Sequence, residues 1–318
     1  MKEPETVSRF LGNFNYKTTQ MFSEINFKVF KMLLCKSKLT SMPLRGTFTI
    51  DIDSSVINID GHQEGTAKGY NPKKLGNPCY NIQLAFCDEL KAYITGFVRS
   101  GNTYTANPQG GISAAEMIKE IVANIKTDEL EILFRMDSGY FDDDIITTIE
   151  LLGCKYLIKG KEYPTLASQV TDPSILFVTG DEGRETVELF TKLDTWHKDR
   201  RFVVSRELKP EKERAQLSLL EGDEYEYFFF VTNTELPSEK VVISYEKRGN
   251  AENYIKEAKY DMAVGHLLLK SFWANEAVFQ MMMLAYNLFL LFKLDSLHIS
   301  EYRQQIKTFR LKYVFLAA

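Results

Sequence analysis

The sequence has few cysteines, and no two of them lie close together. Cys35, Cys79, Cys87 and Cys154 are scattered, with no CxxC pair and no histidine at metal-ligand spacing. This excludes a disulfide-stapled scaffold and a Cys/His zinc site, and it fits reduced thiols in a cytoplasmic protein. An excess of positive charge is also lacking. The net charge is −4 with the four histidines neutral, which argues against a protein that coats polyanions indiscriminately but leaves room for a local basic patch. There is no internal repeat and no low-complexity tract. The start, MKEPETVSRFLGNF, lacks the long apolar core of a secretory signal. What remains is a chain that is 44% hydrophobic and 26% charged. That balance excludes disorder and supports a folded globular protein with a substantial core.

One long apolar run exists. Residues 272–292, FWANEAVFQMMMLAYNLFLLF, would span a bilayer by length. Asn275, Glu276, Gln280 and Asn287 interrupt it, so the expectation is a helix buried in protein, with no membrane partner.

Periodicity sets the order of elements. Residues 1–45 read as a helical N-terminal region whose second half is basic. TFTIDID (47–53) alternates as a strand, and a polar loop follows it. YNIQLAFCD (80–88) and KAYITGFVR (91–99) form a hairpin across Glu89 and Leu90. Ser113 stands three residues before Glu116, a capping box that opens a helix to about Lys126. ELEILFRMD is a strand, FDDDIITTIELLG an acid-capped helix, and KYLIKGK a strand. The order βββαβαβ implies a mixed sheet flanked by helices, the order of an RNase H-like fold. SILFVTG, TVELFTKL, RFVVSREL, EYEYFFFVTN and KVVISY read as short strands of a β-rich insertion. The expected division is therefore 1–45 helical, 46–161 first part of the core, 162–244 insertion, 245–295 last core helices, and 296–318 a basic tail.

Carboxylates at strand ends are the candidate functional groups, because open α/β sheets place their sites there. Asp53 closes TFTIDID and Asp137 closes ELEILFRMD. Asp51 shares a strand face with Asp53, since the side-chain period is two. Position favours Asp53; a strand running on beyond 53 would favour Asp51. A third carboxylate comes from YEKRGNAENYIKEAKYD (245–261). At 100° per residue from Arg248, Glu252 falls near ~40° and Lys259 near ~20°, with Tyr245 near ~60° if the helix reaches back that far. Glu246 and Glu257 fall near ~160° and ~180°, which makes them solvated charge. Arg248 and Glu252 are also an i,i+4 pair, so a plain surface salt bridge is the competing reading.

Tyr245, Arg248, Glu252 and Lys259, in that order and spacing, resemble the Tyr-Arg-Glu-Lys signature of bacterial insertion-sequence transposases of the DDE class. Asp-Ser-Ser at 53–55 and Arg-Met-Asp-Ser-Gly-Tyr-Phe at 135–141 resemble that group's first two catalytic blocks. GYNPKK, Arg99-x-Gly-Asn and LAYNLF are similar too, so the resemblance runs over roughly residues 40–295. It implies an RNase H-like core with an insertion before the last catalytic helix. It implies Asp53, Asp137 and Glu252 as the catalytic, metal-binding triad, and Tyr245, Arg248 and Lys259 as contacts to transposon-end DNA. Relatives place an insertion tryptophan beside an extruded base, which makes Trp196 a weak candidate. Members commonly carry a further N-terminal helical DNA-binding region and a longer C-terminus, so a fragment or trimmed chain is the expectation.

The chemistry suits these residues. Breaking a phosphodiester needs an activated nucleophile and a stabilised leaving oxygen, which two metal ions ~4 Å apart supply. Hard carboxylate oxygens favour Mg²⁺, with Mn²⁺ as a substitute. Asp53 is expected to bridge the ions. Lys68, Lys73 and Lys74, and also Arg200 and Arg201, would extend a phosphate track. The expected partners are double-stranded DNA, as transposon ends and as target, and a second copy of the chain in the DNA complex. The expected function is cut-and-paste transposition in the bacterial cytoplasm. The alternatives are an RNase H-like metal nuclease without strand transfer, and a DNA-binding relative without catalysis.

Overall fold

A computed structural model describes residues 4–39, 47–71, 74–103, 112–128, 130–210, 224–249, 257, 269–296, 302 and 304–315. The chain divides into two compact units, 1–132 with 249–318, and 133–248. These limits differ from the expected 46–161 and 162–244, so the boundary does not fall where the insertion was expected to start.

In the first unit, α1 (Pro4–Leu11) and α2 (Tyr16–Leu39) precede β1 (Thr47–Asn58). β2 (Ala67–Lys68), β3 (Pro78–Cys87) and β4 (Ala92–Ser100) follow. β3 is antiparallel to both β1 and β4, and its first residues pair with β2. The β3–β4 hairpin turns as expected, with Lys91 at φ 53° in the left-handed region. α3 (Ala114–Ile125) starts at the expected capping box, in which Ser113 and Glu116 cap each other's backbone N–H. The N-terminal region is no appendage: Phe27, Phe30 and Leu33 of α2 are buried, and Phe30 meets Phe48 of β1 edge-on.

α7 (Phe272–Ser296) is the apolar run. It is the one helix among the described residues long and apolar enough to cross a membrane. Its polar side chains show why it is a core helix instead. Asn275, Glu276, Gln280 and Asn287 are buried, and three of them seal the outer edge of β4. Val98 N–H donates to Glu276 Oε2 at 2.7 Å, and Gln280 Nε2 donates to the Gly96 carbonyl at 2.7 Å. Asn287 brackets Tyr93, accepting from its N–H at 3.1 Å and donating to its carbonyl at 2.7 Å. An edge strand exposes unpaired backbone groups that are costly to bury. Here helix side chains replace the missing strand.

The second unit holds most of β5 (Glu131–Met136), then α4 (Asp143–Leu151), β6 (Lys155–Lys159), α5 (Pro164–Val170), β7 (Val178–Thr179), β8 (Glu185–Thr191), β9 (Arg200–Leu208), β10 (Tyr225–Thr232) and α6 (Ser238–Glu246). β5 and β6 are parallel across α4, the expected βαβ step. From β6 the sheet continues antiparallel through β10, β9, β8 and β7. The sheet is therefore mixed and flanked by helices, as expected. The 162–244 region does not stand apart, because β10 pairs directly with β6.

Three local expectations change. SILFVTG keeps only the two-residue β7, and α5 was not anticipated. KVVISY is helical, within α6, despite its β-branched residues. Val241 and Val242 pack into a cluster with Leu133, Leu157, Val203 and Phe230. That burial overrides a weak strand propensity, and Pro237 marks the helix start.

Candidate active site

β1 runs on past Asp53, which stands opposite Leu84 of β3, while Asp51 stands opposite Phe86. Asp53 is thus inside the strand, not at its end, and the positional reason for preferring it over Asp51 is corrected. Strand length alone points to Asp51. Access points the other way: Asp51 is 2% exposed, and Asp53 is half-buried. A carboxylate that must meet a hydrated cation and a phosphate needs that access, so Asp53 stays the candidate. Its Oδ1 accepts from the N–H of Ser54 at 2.8 Å.

Asp137 follows β5 directly and is half-buried. It caps the short 3-10 turn Ser138–Tyr140, with Oδ1 accepting from Gly139 N–H at 2.9 Å. Its capping role is the ordinary one for Asp before Ser-Gly, and it leaves the residue at a strand terminus, where the sequence placed it. Asp53 belongs to the first unit and Asp137 to the second. Glu252, Lys259 and Lys73 lie outside the described residues.

The Tyr-Arg stripe takes a different form. α6 ends at Glu246, Lys247 turns, and the backbone becomes helical again at Arg248. Tyr245 therefore belongs to a different helical segment from Arg248: the helix of Arg248 does not reach back to it, and the place on the wheel that depended on this does not hold. Tyr245 is half-buried against Phe230, ring centroids 5.0 Å apart. Arg248 is 8% exposed, where a residue presented to DNA was expected.

Glu257 is the largest departure. The wheel made it solvated; it is buried, and its Oε1 accepts from the backbone N–H of Ile306 at 2.6 Å. Lys293 is buried nearby and donates to the Tyr302 and Gln304 carbonyls at 2.8 and 3.0 Å. Burial pulls the Lys293 ammonium down to about 8, against the opposing pull of the Glu257 charge. Tyr302 in turn donates from its hydroxyl to the Leu90 carbonyl at 2.5 Å. Tyr302, Gln304 and Ile306 of the basic tail are thereby tied into the first unit. No pattern in residues 245–261 could reveal this, because the groups that bury Glu257 come from far along the chain.

Among the basic candidates, Lys68 and Lys74 are exposed, and Lys74 pairs with Asp60 at 2.9 Å. Arg200 and Arg201 do not extend a phosphate track. Arg200 is 2% exposed and binds Asp143, Glu150 and Thr147. Burial pushes the Asp143 carboxyl up, but hydrogen bonds from Arg200 and His197 outweigh it and hold the group below its usual range. Arg201 is bound to Glu188 and to the carbonyls of Thr234 and Leu236. Trp196 is buried between Phe141 and Phe202, with the Arg200 guanidinium 4.8 Å from its ring centre. Its faces are covered by this core, so it is no platform for an extruded base.

Asp53 and Asp137 each offer hard oxygen donors of the kind Mg²⁺ prefers, and each is partly accessible. Among the described residues no three His, Cys, Asp or Glu side chains are grouped to hold a metal. Glu252 is not among those residues.

A mixed α/β chain with aspartates inside its first strand and just after its fifth is the class these observations define. Over residues 4–318 the chain matches the family described as transposase DDE domain group 1, and it belongs to that family. No curated protein matches it. Among solved structures it is similar to the piggyBac transposase in a synaptic complex with hairpin DNA, at 10% identity and a TM-score of 0.45. The match covers 75% of this chain and 47% of that one, so the chain spans about half that transposase's length.

Proposed function

We propose that this chain is the catalytic part of an insertion-sequence transposase that cuts an element's ends and joins them to target DNA. The observation that carries this reading is the family match over residues 4–318. Asp53 and Asp137, both partly exposed, supply two of the three carboxylates such chemistry needs, and Glu252 is the third by its place in the signature. These three would hold two Mg²⁺ ions, which when bound activate the attacking oxygen and stabilise the leaving one. In the first step a water oxygen bonds to phosphorus and the element's 3′-oxygen leaves as a hydroxyl. In the second, that hydroxyl bonds to a target phosphorus and expels the target's own 3′-oxygen. Lys68 and Lys74, exposed in the first unit, would neutralise backbone phosphate. The DNA partner is double-stranded, and two copies of the chain would hold two ends.

The test uses a supercoiled plasmid carrying the DNA that borders this gene, incubated with the protein and Mg²⁺ or EDTA. Joined products that need Mg²⁺, and that vanish with Asp53→Asn or Asp137→Asn, are expected. Nicks without joints would make the chain a nuclease. Binding with neither nicks nor joints would make it a non-catalytic relative.

A further inference from the structure

Arg135 is the largest fully buried side chain in the described protein, at 1% exposure. It stands on β5 two residues before Asp137. A guanidinium cannot shed its charge, so burying one is costly unless hydrogen bonds compensate it. Arg135 Nη1 donates to the carbonyl of Ser244 at 2.7 Å. Ser244 lies in the last turn of α6, among the final carbonyls that a helix leaves without an intrahelical partner. A cation there also complements the negative end of the helix dipole.

Strand geometry extends the point. Leu133, Arg135 and Asp137 are alternate positions, so the first two share a face of β5 and the third continues it. Leu133 shares a buried cluster with Val241 and Val242, in the middle of α6. Arg135, one step on, binds at Ser244 near the helix end. Strand and helix therefore run in step. Asp137 is the next position in one series, and Tyr245 and Arg248 come next in the other.

We infer that Arg135 is a positioning residue: by binding Ser244 it fixes the end of β5, and with it the Asp137 carboxylate, relative to the chain entering the Tyr245–Arg248 segment. The inference rests on the reading of Asp137 as a reacting-site carboxylate. Arg135 touches neither DNA nor metal in this role. It acts through the placement of Asp137.

The experiment compares the wild-type chain with Arg135→Met, Arg135→Lys and, as a control, Asp137→Asn. Three readouts are taken: melting temperature, Mg²⁺ binding by calorimetry without DNA, and nicking of the plasmid described above. Removing a residue that orients a metal ligand costs about 10–100-fold in affinity or rate. Folded Arg135→Met should bind Mg²⁺ about 10-fold more weakly and show kcat down by about 10–100-fold, with KM for DNA unchanged. Arg135→Lys keeps a donor and should recover part of both losses. Wild-type Mg²⁺ affinity and kcat in a folded Arg135→Met would overturn the inference. If that variant does not fold, Arg135→Lys decides, because an ammonium cannot reproduce the planar fork. A folded Arg135→Lys with wild-type Mg²⁺ affinity then overturns the inference, and so does failure of both variants to fold. Full nicking by Asp137→Asn would instead remove the reading of Asp137 on which this rests.

Discussion

The Glu257 carboxylate accepts a hydrogen bond from the backbone N–H of Ile306 at 2.6 Å, joining the signature segment to the end of the chain. With Lys293 close enough to feel the Glu257 charge, and holding two carbonyls nearby, a buried acid and a buried base both fasten the segment of Tyr302, Gln304 and Ile306. This contact reverses the sequence reading, in which Glu257 was inert.

Glu257→Gln should therefore destabilise the protein. The amide keeps an oxygen for Ile306 but removes the charge that offsets Lys293. A loss of at least about 1–3 kcal/mol is expected at pH 7, since that is the range for a buried polar group left unsatisfied and a charged one costs more. Urea denaturation measures it. Lys293→Met in the Glu257→Gln background should restore part of the loss, since the uncompensated ammonium goes with it. Unchanged stability in Glu257→Gln would show the pair to be idle.

Glu276 gives a pH signature. Burial raises its carboxyl to about 7 from the usual 4.5, against hydrogen bonds from Gln280 and from Val98 N–H. A folded pKa above the unfolded one adds stability that is complete below about pH 4.5 and is lost as pH rises through about 7. Both oxygens accept hydrogen bonds, from Val98 N–H and from Gln280 Nε2. Glu276→Gln would turn an amide N–H toward another donor, so it should destabilise by about 1–3 kcal/mol at pH 4.5. The gap between wild type and variant should narrow between pH 4.5 and 7, because only the wild type loses stability there. A constant gap across that window would rule out titration of Glu276.

Asn287 tests the sealing of β4. It satisfies both backbone groups of Tyr93, and alanine would leave both buried without it. The expected cost is about 2–6 kcal/mol, from two unmet groups at about 1–3 each. Hydrogen exchange should localise the effect, with faster exchange at Tyr93 than at Ile82 of β3, whose strand is paired on both edges. Equal protection at both positions would mean that α7 does not seal this edge.

These particulars show what was legible in the sequence. The order of β1, β3, β4, α3, β5, α4 and β6 was readable because each element carries a local signal: alternation, a capping box, an acidic first turn. The polar residues of α7 announced a buried helix because a bilayer would reject them. The candidate site was legible only as residue types at spacings. The wheel reached Tyr245 only if the helix of Arg248 extended back that far, and the turn at Lys247 parts the two. Burial of Glu257 depends on Ile306 and Lys293, and burial of Trp196 on Phe141 and Phe202. Such long-range pairings leave no trace in a local pattern. KVVISY failed for the same reason, since the sheet beneath it decides its form.

Asp137 separates a structural duty from a chemical one. Its side chain caps the Ser138–Tyr140 turn through Gly139 N–H. Asparagine caps such turns about as well as aspartate, because the bond needs only a side-chain oxygen. Asp137→Asn should therefore melt within about 0.5 kcal/mol of wild type, the usual range for a substitution that breaks no buried contact. Alanine removes the cap as well and should cost about 1 kcal/mol. For the chemistry the two variants should be alike. Neither offers a charged oxygen ligand, so Mg²⁺-dependent nicking should fall by at least about 100-fold in both. Stability would then rank wild type with Asn above Ala, while nicking would rank wild type above Asn and Ala together. The paired measurements are urea denaturation and the plasmid assay. If nicking instead followed stability, with Asn close to wild type and only Ala impaired, Asp137 would be a cap and nothing more.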